Sequence, residues 1–181
     1  MRVRATIWQT AMTAAVILTG MSLLGAEHAT KENRGQLTAR DYKFLAEAAR
    51  GGMSEVRLGE VAKQRAGSQE VRDFGQRMIT DHSKANDELK QLAANKGAVL
   101  PADMTHHENS EIDRFEKLSG KDFDKEYTEH MVKDHKKDIR EFQDAARDVT
   151  DPDLKAFAQK TLSTLQEHLR IAEQIQGTIK S

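Results

Sequence analysis

The sequence predicts an all-α protein, an antiparallel four-helix bundle with a long crossover between its second and third helices. Three observations predict it. Only two prolines, Pro101 and Pro152, interrupt the 181 residues, and good helix formers (Ala, Lys, Glu, Gln, Leu) dominate the stretches between. Apolar residues recur at spacings of three and four along four long segments, the pattern of amphipathic helices. The segments join in pairs through tight turns, whereas the connection between the pairs, Lys96 to Gly120, is long.

The chain opens differently. Arg2 and Arg4 precede an apolar run, AMTAAVILTGMSLLGA, that ends at Ala26. A basic start, an apolar middle and a small-residue end make residues 1–26 a secretory signal, with Leu24 and Ala26 before the cleavage point. The alternative is an uncleaved inner-membrane anchor, because Ile7 to Ala26 is nearly long enough to span a bilayer. The expected location is exported and periplasmic, with no stable membrane insertion once the signal is cut. Residues 27–37, EHATKENRGQL, are polar and unpatterned and read as a flexible leader. The sequence has no cysteine, which excludes lipoprotein attachment, disulfides, thiolate metal sites and c-type haem attachment. Charged residues make up 31% with a formal net charge of −1; a nucleic-acid partner would call for a basic face. Phosphate-binding GxxxxGK[ST] and nucleophilic GxSxG motifs are absent as well.

The bundle is expected over 38–178. Helix one, 38–66, starts at the N-cap Thr38 with Asp41 three residues on. It turns Leu45, Ala48, Gly52, Glu55, Gly59, Ala62 and Ala66 inward and stops at Gly67. Ser68 caps helix two, 68–96, whose inward face is Val71, Phe74, Met78, His82, Ala85, Leu89 and Leu92. Helix three, 120–149, presents Phe123, Tyr127, Met131, His135, Ile139, Phe142, Ala146 and Val149. Helix four, 152–177, opens on DPD, with Asp151 capping and Pro152 in the first helical position. Its inward face is Leu154, Ala158, Thr161, Leu165, His168, Ala172 and Ile175. The crossover holds a short amphipathic piece near 110–118 with Ile112, Phe115 and Leu118, and the MTHHENS stretch with His106, His107 and Glu108 reads as solvated loop. A connection of this length suits a crossover that runs the whole bundle, as in ferritin-like folds. The two hairpins also echo one another weakly, SQEVRDFGQRM against DPDLKAFAQKT.

Each long helix carries one polar interruption on its apolar face: Glu55, His82, His135 and His168. All four lie near mid-helix, so they meet at one depth whichever way the helices run. Burying an unpaired polar group costs roughly 1–3 kcal/mol, and four such groups need a common solution. One divalent metal (Zn, Fe or Mn) is such a solution, since imidazole nitrogen and carboxylate oxygen are its ordinary ligands. A closed hydrogen-bond network without metal is the other. Gly51, Gly52 and Gly59 flank Glu55 and suggest that something bulky packs there. Each histidine follows an acid: Asp81, Asp134 and Glu167. An acid one position back points about 100° away, so it would serve the free ring nitrogen of a histidine on the next helix. Met53, Met78 and Met131 offer thioethers that a haem would use, but methionine on an apolar face is commonly core.

At these residues the chain resembles the bacterial domain-of-unknown-function family 4142, through GGMSEVRLGEVA, FGQRMITDHSKAN, FDKEYTEHMVKDH and LKAFAQKTLSTLQEH. The resemblance spans roughly Asp41 to Ile175 and implies an exported, ferritin-like four-helix bundle without a settled activity. Its "outer membrane" label fits poorly, since nothing here alternates like a barrel strand. The Glu-x-x-His of ferritin-like di-iron enzymes is missing: Ile79, Val132 and Leu165 stand three residues before the histidines. A single His-rich site is what remains. An open coordination position would let its metal act on peroxide, superoxide or oxygen, and a closed one would make it structural. No catalytic residue is selected by the sequence. The non-enzymatic alternative is an envelope-stress bundle whose surface binds a protein partner and whose polar core fixes helix register.

Overall fold

The computed structural model of the chain describes residues 37–180. The expected signal segment, and the leader up to residue 36, lie outside the described residues. Five helices follow in order: α1 Ala39–Arg65, α2 Gln69–Asn95, α3 His106–Glu116, α4 Gly120–Asp148 and α5 Pro152–Lys180. Among the described residues the only extended pairing is an isolated bridge between Ala66 and Gly120, and no helix is long and apolar enough to cross a membrane.

Helices α1 and α2 form one hairpin and α4 and α5 the other. Contacts at the ends fix their arrangement. The α4–α5 turn meets the start of α1, where Thr150 N donates to Asp41 Oδ1 at 2.7 Å. The α1–α2 turn meets the start of α4, where Gly67 N donates to Asp124 Oδ1 at 2.9 Å. Helix α4 therefore runs antiparallel to α1 and parallel to α2. The connection between α2 and α4 must travel the length of the bundle, which is the ferritin-like crossover. Helix α3 sits within it against α1, with Arg57 Nη2 donating to Glu116 Oε1 at 2.8 Å.

Local chemistry explains the boundaries. Thr38 and Asp41 form a capping box at α1; Ser68 Oγ accepts from Val71 N at 3.3 Å; Asp151 Oδ1 accepts from Asp153 N and Leu154 N at 3.0 and 3.1 Å. Helix α3 starts earlier than the sequence reading placed it. Thr105 and Glu108 make a reciprocal capping box, so His106 and His107 are helical, though exposed. The THHE signature for that box stood in the sequence.

Asp41 and Asp124 are buried, at 1% and 4% exposure, and they latch the hairpins reciprocally. Asp41 accepts from Thr38 N (3.0 Å), Thr150 Oγ1 (2.6 Å) and Asp151 N (3.3 Å) besides Thr150 N. Asp124 accepts from Gly67 N and, at 2.7 Å, from Ser68 N. Asp41, Gly67 and Ser68 stand at one constant sequence spacing from Asp124, Thr150 and Asp151. The same register pairs Phe74 with Phe157, so the weak echo between the hairpins is also an echo of contacts.

The core has two apolar storeys. One holds Leu58, Val61, Phe74, Met78, Phe115, Phe123 and Tyr127, with Phe123 and Tyr127 stacked at 5.2 Å. The other holds Phe44, Leu45, Leu89, Leu154 and Phe157. Small residues let α1 and α2 approach. A Cβ on Gly59 would lie 2.6 Å from Gly75 O, and one on Gly75 would lie 2.9 Å from Gly59 O. A Cβ on Gly52 would strike the Asn86 side chain, whereas Gly51 has nothing within 4 Å. The glycines around Glu55 thus seat α2 and Asn86 rather than a bulky foreign group.

Two predictions follow from these contacts. Gly59→Ala gains about 1 kcal/mol of helix propensity but forces backbone apart. It should destabilise by about 1–3 kcal/mol net, while Gly51→Ala should be neutral or stabilising; denaturant melts of both variants check this. Burial would raise the Asp41 carboxyl, but hydrogen bonds from Thr150 and Thr38 outweigh it and hold the group well below the usual carboxylate range. A carboxyl depressed by folding contributes stability that is complete above its unfolded pKa of about 3.9 and is lost as pH falls toward the folded value. Asp41→Asn should therefore cost about 2 kcal/mol at neutral pH and flatten the acid limb of stability measured between pH 7 and 3. An unaltered acid limb would refute the charged latch.

Candidate metal centre

Between the two storeys lies a polar plane. Each long helix sends one residue into it: Glu55 from α1, His82 from α2, His135 from α4 and His168 from α5. His135 and His168 are fully buried, Glu55 is 2% exposed and His82 7%. Ring centroids stand 6.0 Å apart for His82–His135, 5.2 Å for His82–His168 and 5.3 Å for His135–His168. One nitrogen from each ring lies within 4.8 Å of the others.

The outer contacts fix which nitrogens carry protons. His135 Nδ1 is 3.0 Å from the Met131 carbonyl one turn back. A carbonyl only accepts, so Nδ1 is the protonated nitrogen and Nε2 of the neutral ring carries a lone pair. His168 Nε2 is 2.8 Å from Asp81 Oδ2, so it donates, and Nδ1 carries the lone pair. These two inward atoms, His135 Nε2 and His168 Nδ1, face each other at 3.3 Å. Two neutral rings in these tautomers cannot hydrogen-bond to each other; a proton or a cation between the two nitrogens would relieve the contact. Burial, which outweighs the Asp81 hydrogen bond, pushes His168 down to about 4, aided by the neighbouring His82 and His135.

The remaining pair is ionic. His82 Nε2 is 2.5 Å from Glu55 Oε2. Burial opposes charge on both, but their mutual attraction wins: Glu55 is held below the usual carboxylate range and His82 is raised. Glu55 Oε1 lies 3.5 Å from His135 Nε2 and has no hydrogen-bond partner; neither does the buried Tyr127 hydroxyl. Burial and the Glu55 charge together push that phenol up.

Of the three acids expected to support the rings, Asp81 does so, across from α2 to α5. Asp134 instead faces Glu55 and Asp138, within 4.8 Å, because it lies on the side of α4 turned toward α1. Glu167 turns outward to Arg170, 2.7 Å away, since its helix already closes that side with its own cation one turn on. Asp138 was not foreseen. Burial first, then Glu55 and Asp134, push its carboxyl up to about 9; Asp134 is likewise raised by burial and Glu55. The signal for Asp138 was its register: it stands to Asp124 as Glu55 stands to Asp41. A cleft of about 560 Å³ leads in from solvent, lined by Gly51, Gly52, Glu55, His82, Asp138 and Phe142 among others.

Chemically, the arrangement offers two imidazole lone pairs and a free carboxylate oxygen to one point, with the outer nitrogens anchored. The tautomers are directly testable. Imidazole ¹⁵N spectra of chelator-treated protein at neutral pH should show His168 neutral, protonated at Nε2 and bare at Nδ1. A protonated Nδ1 would break the lone-pair argument.

No curated protein matches the chain significantly. Among solved structures, the crystal structure of a DUF305 fragment from Deinococcus radiodurans is similar, with a TM-score of 0.69 over 78% of this chain and 98% of that chain. Sequence identity is 13%, so the likeness is one of fold. The profile of a domain of unknown function, DUF4142, matches residues 26–175. The helical bundle with its waist of histidines therefore belongs to the DUF4142 family.

Proposed function

We propose that the chain is an exported helical bundle that holds one divalent metal, Zn, Fe or Mn, through His82, His135, His168 and Glu55. One observation carries the reading: the inward lone pairs of His135 and His168, 3.3 Å apart, with both outer nitrogens already engaged as donors. A cation between them removes the repulsion and gives the orphaned Glu55 Oε1 a partner. Nitrogen-rich donors of this kind suit Zn or Fe, and Mn where carboxylate joins them. Asp81 on His168, and the Met131 carbonyl on His135, are the orienting contacts that histidine ligands need.

A bound metal would act as a Lewis or redox centre. The chain itself supplies the anchored ligands, the apolar storeys above and below, and a cleft wide enough for peroxide, superoxide or oxygen. Export rests on the basic-then-apolar N-terminal run, and a role in envelope oxidative stress follows from joining that location to such a centre. The second reading is a metal-free polar core, favoured by the Glu55–His82 ion pair at 2.5 Å, in a bundle whose surface binds a protein partner.

Elemental analysis of untagged protein, purified without chelator, separates the two. The expected result is stoichiometric metal, lost in His135→Ala and His168→Ala. Readdition of metal at 100 times its Kd should stabilise the wild type by about 2.7 kcal/mol. Metal-free protein whose melting ignores both chelator and added metal would leave the polar-core reading standing.

A further inference from the structure

Resting on that metal reading, we propose that the cleft selects hydrogen peroxide, a neutral molecule that both donates and accepts hydrogen bonds, and that Asn86 positions it. Asn86 lies in a cradle. A Cβ on Gly52 would overlap Asn86 Oδ1 and stand 2.9 Å from its Cγ and 3.0 Å from Nδ2. The amide therefore fills the space that a side chain on Gly52 would take, against the backbone of α1. Gly51 and Gly52 stand where the matching register of α4 carries Asp134 and His135, so the opening exists in one half only.

This cradle is one helical turn from the polar plane. Asn86 follows His82 by four residues on α2, and Gly52 precedes Glu55 by three on α1. Side chains so spaced are about 5–6 Å apart between Cβ atoms, a span that a small molecule bridges. Gly52, Asn86, Glu55 and His82 all line the cleft. The hydrogen bonds and ion pairs of the plane run among the three rings, Glu55, Asp81 and the Met131 carbonyl, and leave the Asn86 amide to whatever enters. An amide offers two N–H donors and a carbonyl acceptor, whereas an ionised carboxylate only accepts. Peroxide accepts from the amide and donates to the carboxylates around it. Superoxide only accepts and carries a charge.

The walls act on that charge. Seven acids and four bases line the cleft, and acids still outnumber bases with Asp138 protonated. A smaller cleft on the opposite α2–α5 face also reaches His82 and is lined by two acids and two bases. Neither route has the surplus of positive charge that draws an anion inward, and the acidic one repels it, an effect that low-dielectric walls strengthen.

The test has two arms, both on the full chain. In the first, chelator-treated protein is titrated with hydrogen peroxide and, separately, with sodium azide, while ¹H–¹⁵N spectra follow the Asn86 side-chain amide. Peroxide should move that resonance saturably, and azide should leave it in place. An amide indifferent to peroxide overturns the role of Asn86; one moved equally by azide overturns selection by charge. In the second arm, protein loaded with MnCl₂ is assayed with hydrogen peroxide and with superoxide at rising salt. Asn86→Ala should raise the KM for peroxide about fivefold to tenfold with kcat little changed, the mark of lost binding rather than lost chemistry. Peroxide turnover should ignore salt, and any superoxide turnover should be slower and rise with salt as the repulsion is screened. Superoxide turnover that is faster, and falls with salt, overturns the proposal. Protein that takes up no metal fails the metal reading alone, because the first arm needs none and still decides the cleft. Should Asn86→Ala fail to fold, the wild-type amide titration and salt dependence decide.

Discussion

The structure turns on a repulsion. Two imidazoles turn bare nitrogens toward each other at the centre of the bundle, where a backbone carbonyl holds one ring and a carboxylate on a different helix holds the other. In the low-dielectric interior such an arrangement is costly unless a positive charge sits within it. The Glu55–His82 ion pair is the local response the chain can make alone. It leaves one carboxylate oxygen and one phenol unanswered. The apolar storeys above and below, and the latched ends, hold these groups in the plane.

Four helices can maintain that constraint because their ends are tied. Lys96, at 10% side-chain exposure, bridges Asp151 and Asp153 at 2.8 and 2.6 Å beside the Asp41 latch. At the far end Gly120, at φ +61°, allows its backbone to lie against Gly67, where a Cβ would meet it at 2.8 Å. Register at both ends fixes depth in the middle. A slip of one turn, about 5.4 Å, would carry any of the four polar residues out of the plane and into an apolar storey.

Much of this was legible beforehand. Thr38, Ser68 and Asp151 announced their helices as caps, and the polar breaks in apolar stripes marked Glu55 and the three histidines. The stripes were read too narrowly on α1, where Phe44, Ala49, Leu58 and Val61 are buried as well. A single stripe assumes one covering neighbour, and α1 has α2, α3 and α4 around it. The acids were harder. Asp81, Asp134 and Glu167 share the same position relative to a histidine, yet one supports a ring, one joins a carboxylate group and one pairs on the surface. What separates them is which helix lies opposite, and that is a tertiary fact. The ring tautomers were out of reach for the same reason, since the Met131 carbonyl is invisible in a list of side chains.

The reciprocal latches carry a consequence for descent. Each half both gives a fastening carboxylate and receives one, so a lone hairpin meeting its own twin would have been closed at both ends by contacts it already possessed. Such a homodimer would be obliged to present identical residues from both partners at its midline. Joining the twins in one chain lifts that obligation: Gly51 and Gly52 can leave a doorway where the other half carries Asp134 and His135, and each half can bring different groups to the midline.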